Sequence, residues 1–449
     1  MSFPRYPRYK NSGVEWLGEV PEHWEIKRLK RACHVFPSNV DKKSHEGEVA
    51  VKLCNYTDVY YNEAITAEMD FMTATASSQQ IEKFTLRAGD TIITKDSETA
   101  DDIAVASHVP TDLPGVVCGY HLAIVRPMTN THGAFVKRFF DSTYAKSCFE
   151  VLANGLTRVA LGQYELDNVE LPFPPPAEQT LIAAFLDRET AKINELVAEQ
   201  RRLLELLKEK RQAAISHAVT KGLNPRAPMK PSGIEWLGDV PAHWEICLLK
   251  RAFRSVDYGI SDALDSEGSV AILRMGNIEN GKIVTDGLKY TGAVDPSLLL
   301  RAGDLLYNRT NSLDLIGKVG MFLGNGKSPI SFASYLVRLR TGEEALPEYF
   351  AYLLNTEGIL GLARANAFVA IGQCNLNPTR YGQIAIAMPP RGEQSAIVEY
   401  LNAETTKLDT LTAEAESAIG LLQERRAALI SAAVTGQIDV RPSRVKAAA

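Results

Sequence analysis

The chain has 449 residues, 45% of them hydrophobic, with six cysteines and a formal net charge of −5. That length and apolar content allow two or three domains with real cores. The mildly acidic balance excludes capture of nucleic acid by overall charge, so any such contact must come from local patches or from a partner. No run approaches the roughly 18 apolar residues of a membrane span, and residues 1–11 lack the apolar centre of a signal peptide, so a cytoplasmic location with no membrane partner is expected. Cys33, Cys54, Cys118, Cys148, Cys247 and Cys374 have no close pair of the kind metal sites use and are expected to be reduced thiols.

The first stretch has a twin. Ser12, Gly13, Val14, Glu15, Trp16, Leu17 and Gly18 recur 220 residues later as Ser232, Gly233, Ile234, Glu235, Trp236, Leu237 and Gly238. Val20, Pro21, His23, Trp24, Glu25 and Ile26 recur at the same interval as Val240, Pro241, His243, Trp244, Glu245 and Ile246. The segment reads as a domain-opening turn whose tryptophans pack inward, or as an interface, where Trp is favoured. His23 and His243 have no second ligand or nucleophile at a suitable spacing, which argues against a metal or catalytic role.

Further along, Arg87, Ala88, Gly89 and Asp90 match Arg301, Ala302, Gly303 and Asp304, each followed by a strand-like run, Thr91, Ile92, Ile93, Thr94 or Leu305, Leu306, Tyr307. The halves then diverge. The first continues Lys95, Asp96, Ser97, Glu98, Thr99 and reaches Asp101, Asp102; the second continues Asn308, Arg309, Thr310, Asn311, Ser312 and reaches Gly317, Lys318. Either loop is an ordinary polar turn or a reader of base edges, since Arg or Lys suits guanine, Asn adenine, Asp or Glu cytosine, and Ser or Thr either. Lys95, Asp96, Ser97, Arg309, Thr310, Asn311 and Ser312 are therefore candidate DNA contacts. Gly162, Gln163, Tyr164 and Gly372, Gln373 precede short strands that run into the helix starts, which makes Arg158 and Gln163, beside Gln373 and Asn375, candidates of second rank.

Catalytic signatures are missing. Gly324, Asn325, Gly326, Lys327 lacks the spacing of a phosphate-binding loop, and Asn377, Pro378, Thr379 does not match the Asn, Pro, Pro, aromatic run of amino-methyltransferases. A chain without chemistry or bound cofactor of its own is expected.

Each half ends in one long helix, 177–220 and 392–435, related without a gap by a shift of 215 residues. Prolines precede both (Pro174, Pro175, Pro176; Pro389, Pro390), a glutamate follows in the first turn (Glu178; Glu393), and Gly222 or Gly436 stands at the end. Ile182, Leu186, Ile193, Leu196, Leu203 and Leu207 in one copy, and Ile397, Leu401, Leu408, Leu411, Leu422 and Leu429 in the other, fall at spacings of three and four or their multiples. That is a heptad seam, interrupted at Glu189, Gln200 and Lys210 and at Glu404, Ala415 and Arg425. Roughly 40 residues make a rod of about 60 Å that needs a partner along its length.

Two divergent halves, each opening on Trp, Leu, Gly and His, Trp and closing on Pro, Pro, Glu, Gln and a long helix, resemble the specificity subunit of type I restriction-modification systems. Pro175, Pro176, Glu178, Gln179 and Pro389, Pro390, Glu393, Gln394, with the run from Gly303, Asp304 to Gly317, Lys318, carry the resemblance, which spans essentially the whole chain. It implies an α+β fold, with two pseudo-symmetric globular target-recognition domains separated by two long helices that form an antiparallel coiled coil. The expected boundaries are a first domain at 1–176, a helix at 177–221, a linker at 222–231, a second domain at 232–390, a helix at 391–436 and a tail at 437–449. Each domain is expected to read one half of an asymmetric bipartite target in double-stranded DNA, with the coiled coil setting the spacer and docking partners. The implied partners are two methyltransferase subunits, which bind S-adenosylmethionine and modify adenine, and restriction subunits that use ATP and magnesium. The alternatives are a stand-alone bipartite DNA-binding regulator and a coiled-coil scaffold that binds only proteins.

Overall fold

The computed structural model describes residues 3–279, 281–324, 328–370 and 372–441. Asn325, Gly326 and Lys327 of the glycine-rich run, and residues 442–449 of the tail, lie outside the described residues. The chain divides into two compact units, one formed by Met1–Arg201 with Ser417–Ala449 and the other by Arg202–Glu416. Among the described residues no helix is long and apolar enough to cross a membrane. All six cysteines are unpaired.

In the first unit a four-stranded antiparallel sheet runs in the order Cys33–Pro37, Leu122–Pro127, Thr91–Thr94, Ala106–His108. The strand Val49–Cys54 lies between Val116–Cys118, parallel to it, and Met72–Ala76, antiparallel. Thr91, Ile92, Ile93 and Thr94 are all buried because the sheet is covered on both faces. On one side Ile93, Ala123 and Val125 join Phe135, Phe139, Phe140 and Phe149 of the helices Gly133–Asp141 and Thr143–Leu152; on the other, Ile92, Leu122 and Ile124 join Leu53, Phe84 and Val117.

The second unit repeats this plan. Phe253–Tyr258, Leu336–Thr341, Leu305–Asn308 and Val319–Met321 are neighbours in that order, extended by Lys282–Ile283 and Ile278–Glu279. Val270–Leu273 again lies between a parallel strand, Ile330–Phe332, and an antiparallel one, Lys289–Thr291. The Arg, Ala, Gly, Asp repeat is a tight turn in both units, with φ of +89° at Gly89 and at Gly303. Asp90 and Asp304 close it by accepting from the backbone N–H of Arg87 and Arg301, both at 2.9 Å, and each clamps an arginine of the next sheet strand, Arg126 or Arg340, at 2.7 Å.

The long helices run Pro176–Lys221 and Arg391–Val434, and Gly222 and Gly436 cap them at φ +75°. In the first unit the opening part of the first helix, Ile182 to Val197, shares a core with the closing part of the second, Leu422 to Val434. In the second unit Ala218 and Val219 share a core with Ile397 and Leu401, while Arg211 pairs with Asp409. The pairing is antiparallel in both.

Burial corrects the seam. Leu186, Thr190, Ile193, Leu207 and Ala218 are buried and Val197, Gln200, Leu204, Arg211 and Ala214 half-buried, an unbroken alternation of four and three. In the second helix the same phase picks out Leu401, Thr405, Leu408, Thr412, Ala415, Ile419, Leu422, Arg426, Leu429 and Ala433. Ile182, Leu186, Ile193, Leu207, Ile397, Leu401, Leu408, Leu422 and Leu429 are buried or half-buried, but Leu196, Leu203 and Leu411 are 45, 40 and 45% exposed and stand beside the seam. The cause is that Thr190, Thr405, Gln200, Arg211 and Arg426 hold core-facing positions, so the apolar residues alone point to a phase one residue out.

Candidate nucleic-acid interface

Each candidate loop belongs to a domain with a fixed base. At the start of the first long helix, Glu178 accepts from Trp24 Nε1 at 3.1 Å and lies 2.8 Å from His23 Nε2, with the Tyr6 hydroxyl also bonded to it. Burial and this carboxylate push the Tyr6 phenol well up. Glu393 holds Trp244 Nε1 at 3.0 Å and His243 Nε2 at 2.7 Å in the second unit. Trp24 and Trp244 are fully buried. The adjacent glutamines are buried too: Gln179 donates to the carbonyls of Pro174 and Asn130 and accepts from His132 N–H, while Gln394 donates to Pro389 and Glu344 and accepts from Leu346 N–H. The Glu, Gln pair therefore ties each helix start to its domain, and His23 and His243 are structural.

At the far end of the central sheet, candidates from distant stretches come together. In the first unit Asp96–Ser97 pairs antiparallel with Val159–Ala160, setting Ser97 opposite Val159 and Asp96 opposite Ala160. In the second, Thr310 lies opposite Asn375 and Asn311 opposite Cys374. One backbone bond anchors each pair from behind, Leu161 N–H to Lys95 O at 2.9 Å and Leu376 N–H to Arg309 O at 2.8 Å. The two tips are thus equivalent in register, with Lys95 matching Arg309, Asp96 matching Thr310 and Arg158 matching Gln373.

Their side chains differ. Asp96 accepts from Arg158 Nη2 at 2.5 Å and lies 2.8 Å from His121 Nδ1. Lys95 Nζ stands 4.6 Å from the Tyr120 ring and donates to Ser38 O at 3.4 Å. In the second unit Arg309 stacks at 5.1 Å on Tyr258 and donates to Ser334 O at 3.2 Å. Asn375 donates to Thr310 Oγ1 at 3.1 Å, and Asn311 Oδ1 accepts from Ser312 N–H at 2.8 Å. Gln373 and Ser312 are exposed. Ser97 and Thr310, at 2% and 8% exposure, do not present their side chains to solvent and serve the strand pair instead. Gln163 begins the short helix Gln163–Asn168, where it donates to Val35 O and Asp167 Oδ1, and it matches no candidate position in the second unit.

The structure adds aromatic groups that residue type alone did not suggest. Tyr120 is 51% exposed beside His121, and Tyr56 stacks on Tyr60 at 5.6 Å; with Asp41, Lys42 and Asn55, the residues Tyr56, Tyr120 and His121 line a cleft of about 110 Å³. The hydrogen bond from the Tyr60 hydroxyl to Asp102 pushes that phenol up to about 12. In the second unit Tyr258, Tyr335, Phe368 and Val369 are exposed around the tip. The interval of 214 that relates Asp90 to Asp304 and Arg126 to Arg340, carried to Tyr120 and His121, would have found Ser334 and Tyr335.

The loop partners of Gly317 and Lys318 also move. Gly317 N–H donates to Asn308 O and Ala104 N–H to Thr94 O, so Ala104 and Val105, not Asp101 and Asp102, stand at those places. Ala104 carries the left-handed conformation at φ +58°, as Gly317 does at +79°. Among the described residues no group of three or more His, Cys, Asp and Glu is placed to hold a metal ion.

A family model described as type I restriction modification DNA specificity domain matches residues 21–206. The chain is 23% identical over 344 residues to the type I restriction enzyme EcoKI specificity subunit of Escherichia coli K12, covering 74% of this chain and 71% of that one. It is 22% identical over 441 residues to the putative type I restriction enzyme MjaX specificity subunit of Methanocaldococcus jannaschii, covering 95% and 96%. Two solved structures share its fold. One, from work on complex assembly and conformational transition of the type I R-M system, superposes with a TM-score of 0.70 at 15% identity, covering 92% of this chain and 98% of that one. The other, the HsdS subunit from Thermoanaerobacter tengcongensis, gives 0.54 at 16% identity, covering 93% and 98%.

Proposed function

We infer that this chain, which carries a type I restriction-modification DNA specificity domain over residues 21–206, is the specificity subunit of such a system and acts by reading DNA for partner enzymes. One observation carries the reading. Two units built on the same base, with matching Glu178 and Glu393, Gln179 and Gln394, Asp90 and Asp304, present different side chains at register-equivalent tips. A scaffold that only bound proteins has no need to vary its tips on an unvarying frame, whereas a reader of two unlike half-sites does.

Each unit then reads one half of an asymmetric bipartite target, the paired helices set the unread spacer, and methyltransferase subunits dock on this chain. S-adenosylmethionine, ATP and magnesium belong to the partner subunits, the restriction subunits among them. The net charge of −5 fits an assembly whose partners share the work of neutralising phosphate. The test is to express the chain with its cognate methyltransferase subunit in a methylation-free host and map modified adenines. A split asymmetric motif, absent when this chain is omitted, is the expected result. A complex that forms without directing any motif would favour the scaffold, and tight site-specific binding without a methyltransferase would favour the regulator.

A further inference from the structure

The tips differ at one register-equivalent place where the first unit has an arginine held by a carboxylate and the second a glutamine. Arg158 stands one residue before the Val159–Ala160 strand and Gln373 opens the Gln373–Asn375 strand. Both lie one residue beyond the pairs Ser97 with Val159 and Asn311 with Cys374. Behind Arg158, Asp96 is fixed on both sides. Its side chain is only 13% exposed, it lies 2.8 and 3.0 Å from His121 Nδ1, and it accepts from Arg158 Nη2 at 2.5 Å. The Arg158 side chain is 49% exposed, so its guanidinium is steered by one of its five N–H donors and keeps the others for a ligand.

An arginine directed by a fixed carboxylate is partly oriented before binding, which favours planar two-point recognition over a loose phosphate contact. The base edge that accepts two such bonds is guanine, through O6 and N7. Gln373 is exposed, and a glutamine makes the corresponding two-point contact with adenine, through N6 and N7. We propose that Arg158 reads a guanine in one half-site, with Asp96 positioning it, and that Gln373 reads an adenine in the other. This rests on the specificity-subunit reading and adds the identity of one base to each half.

The test compares adenine methylomes directed by the assembled complex carrying wild-type chain, Arg158→Gln, Asp96→Asn, Asp96→Glu or Gln373→Arg. With wild-type chain, one half-site contains a guanine whose preference falls by about 10- to 100-fold in Arg158→Gln. All other positions keep theirs. Asp96→Asn relaxes the same position with unchanged thermal stability, Asp96→Glu restores part of it, and Gln373→Arg moves one position of the other half-site from adenine towards guanine. Replacing that guanine by 7-deazaguanine, which lacks the N7 acceptor, weakens binding of the wild-type complex and not of Arg158→Gln.

A loss shared equally by every sequence would make Arg158 a phosphate contact and overturn the proposal, as would a half-site without guanine at the position that responds. Both results leave the specificity-subunit reading standing, because a split motif is still written. Failure of wild-type chain to direct any split motif would instead overturn the reading beneath it. Gln373→Arg carries the same question in the second unit, so a poorly folding Arg158 variant still leaves a decisive result.

Discussion

One exchange of side chain decides where the repeated tryptophan goes. Trp236 packs on the helix Glu357–Asn366, and a Cβ on Gly358 would lie 2.3 Å from its ring. The matching second residue of the helix Thr143–Leu152 is Tyr144, which is buried and donates to Glu170 O at 3.0 Å, and there Trp16 remains 56% exposed. Alanine is ordinarily preferred to glycine in a helix, by up to about 1 kcal/mol in the interior and less in the first turn where Gly358 stands. At Gly358 the overlap with a rigid ring reverses the sign, and Gly358→Ala should cost about 1–3 kcal/mol as the indole is displaced. A lower urea midpoint together with a red shift in tryptophan emission is the expected outcome; an unchanged spectrum would show that Trp236 does not depend on that gap. Residues of this kind are invisible in sequence because Trp16 and Trp236 sit in matching contexts, while the partner that separates them lies more than a hundred residues away.

The helices show the same limit at the scale of the element. Replacing Leu207, 7% exposed, by aspartate buries an unpaired carboxylate in the seam and should cost several kcal/mol, whereas Leu196→Asp, at a position 45% exposed, should change stability by less than about 1 kcal/mol. Chemical denaturation of both variants checks the phase, and equal losses would return Leu196 to the seam. Much of this level was legible beforehand. The repeat at 215 residues marked both helices, the prolines and glycines marked their ends, and Arg, Ala, Gly, Asp marked the turn that launches each central strand. The phase of the seam was not, because Thr190 and Arg211 look like surface residues until their neighbours are known. Nor was the burial of Ser97 and Thr310, which follows from strand partners some sixty residues away, Val159 and Asn375. Local patterns carry local elements; side-chain exposure at a tip depends on pairing that no window contains.

At the scale of the molecule, the proposed role makes the paired helices a ruler, and a ruler has a measurable increment. Four residues added to one α-helix lengthen it by about 6 Å, close to two base pairs of rise in DNA. Coiled coils absorb an insertion of four by local unwinding, so the seam on either side keeps its contacts. The insertion has to be made in both helices at facing positions. Around Arg211 and Asp409, which pair across the seam, an addition to one strand alone would put every later residue out of step. With both lengthened, the methylome motif should keep the bases of each half-site and widen its unread spacer by one or two base pairs. On the proposed reading the half-sites are set by Arg158, Gln373 and their neighbours, none of which the insertion touches. An insertion variant that assembles and methylates with an unchanged spacer would separate target reading from helix length and remove the ruler from the proposal.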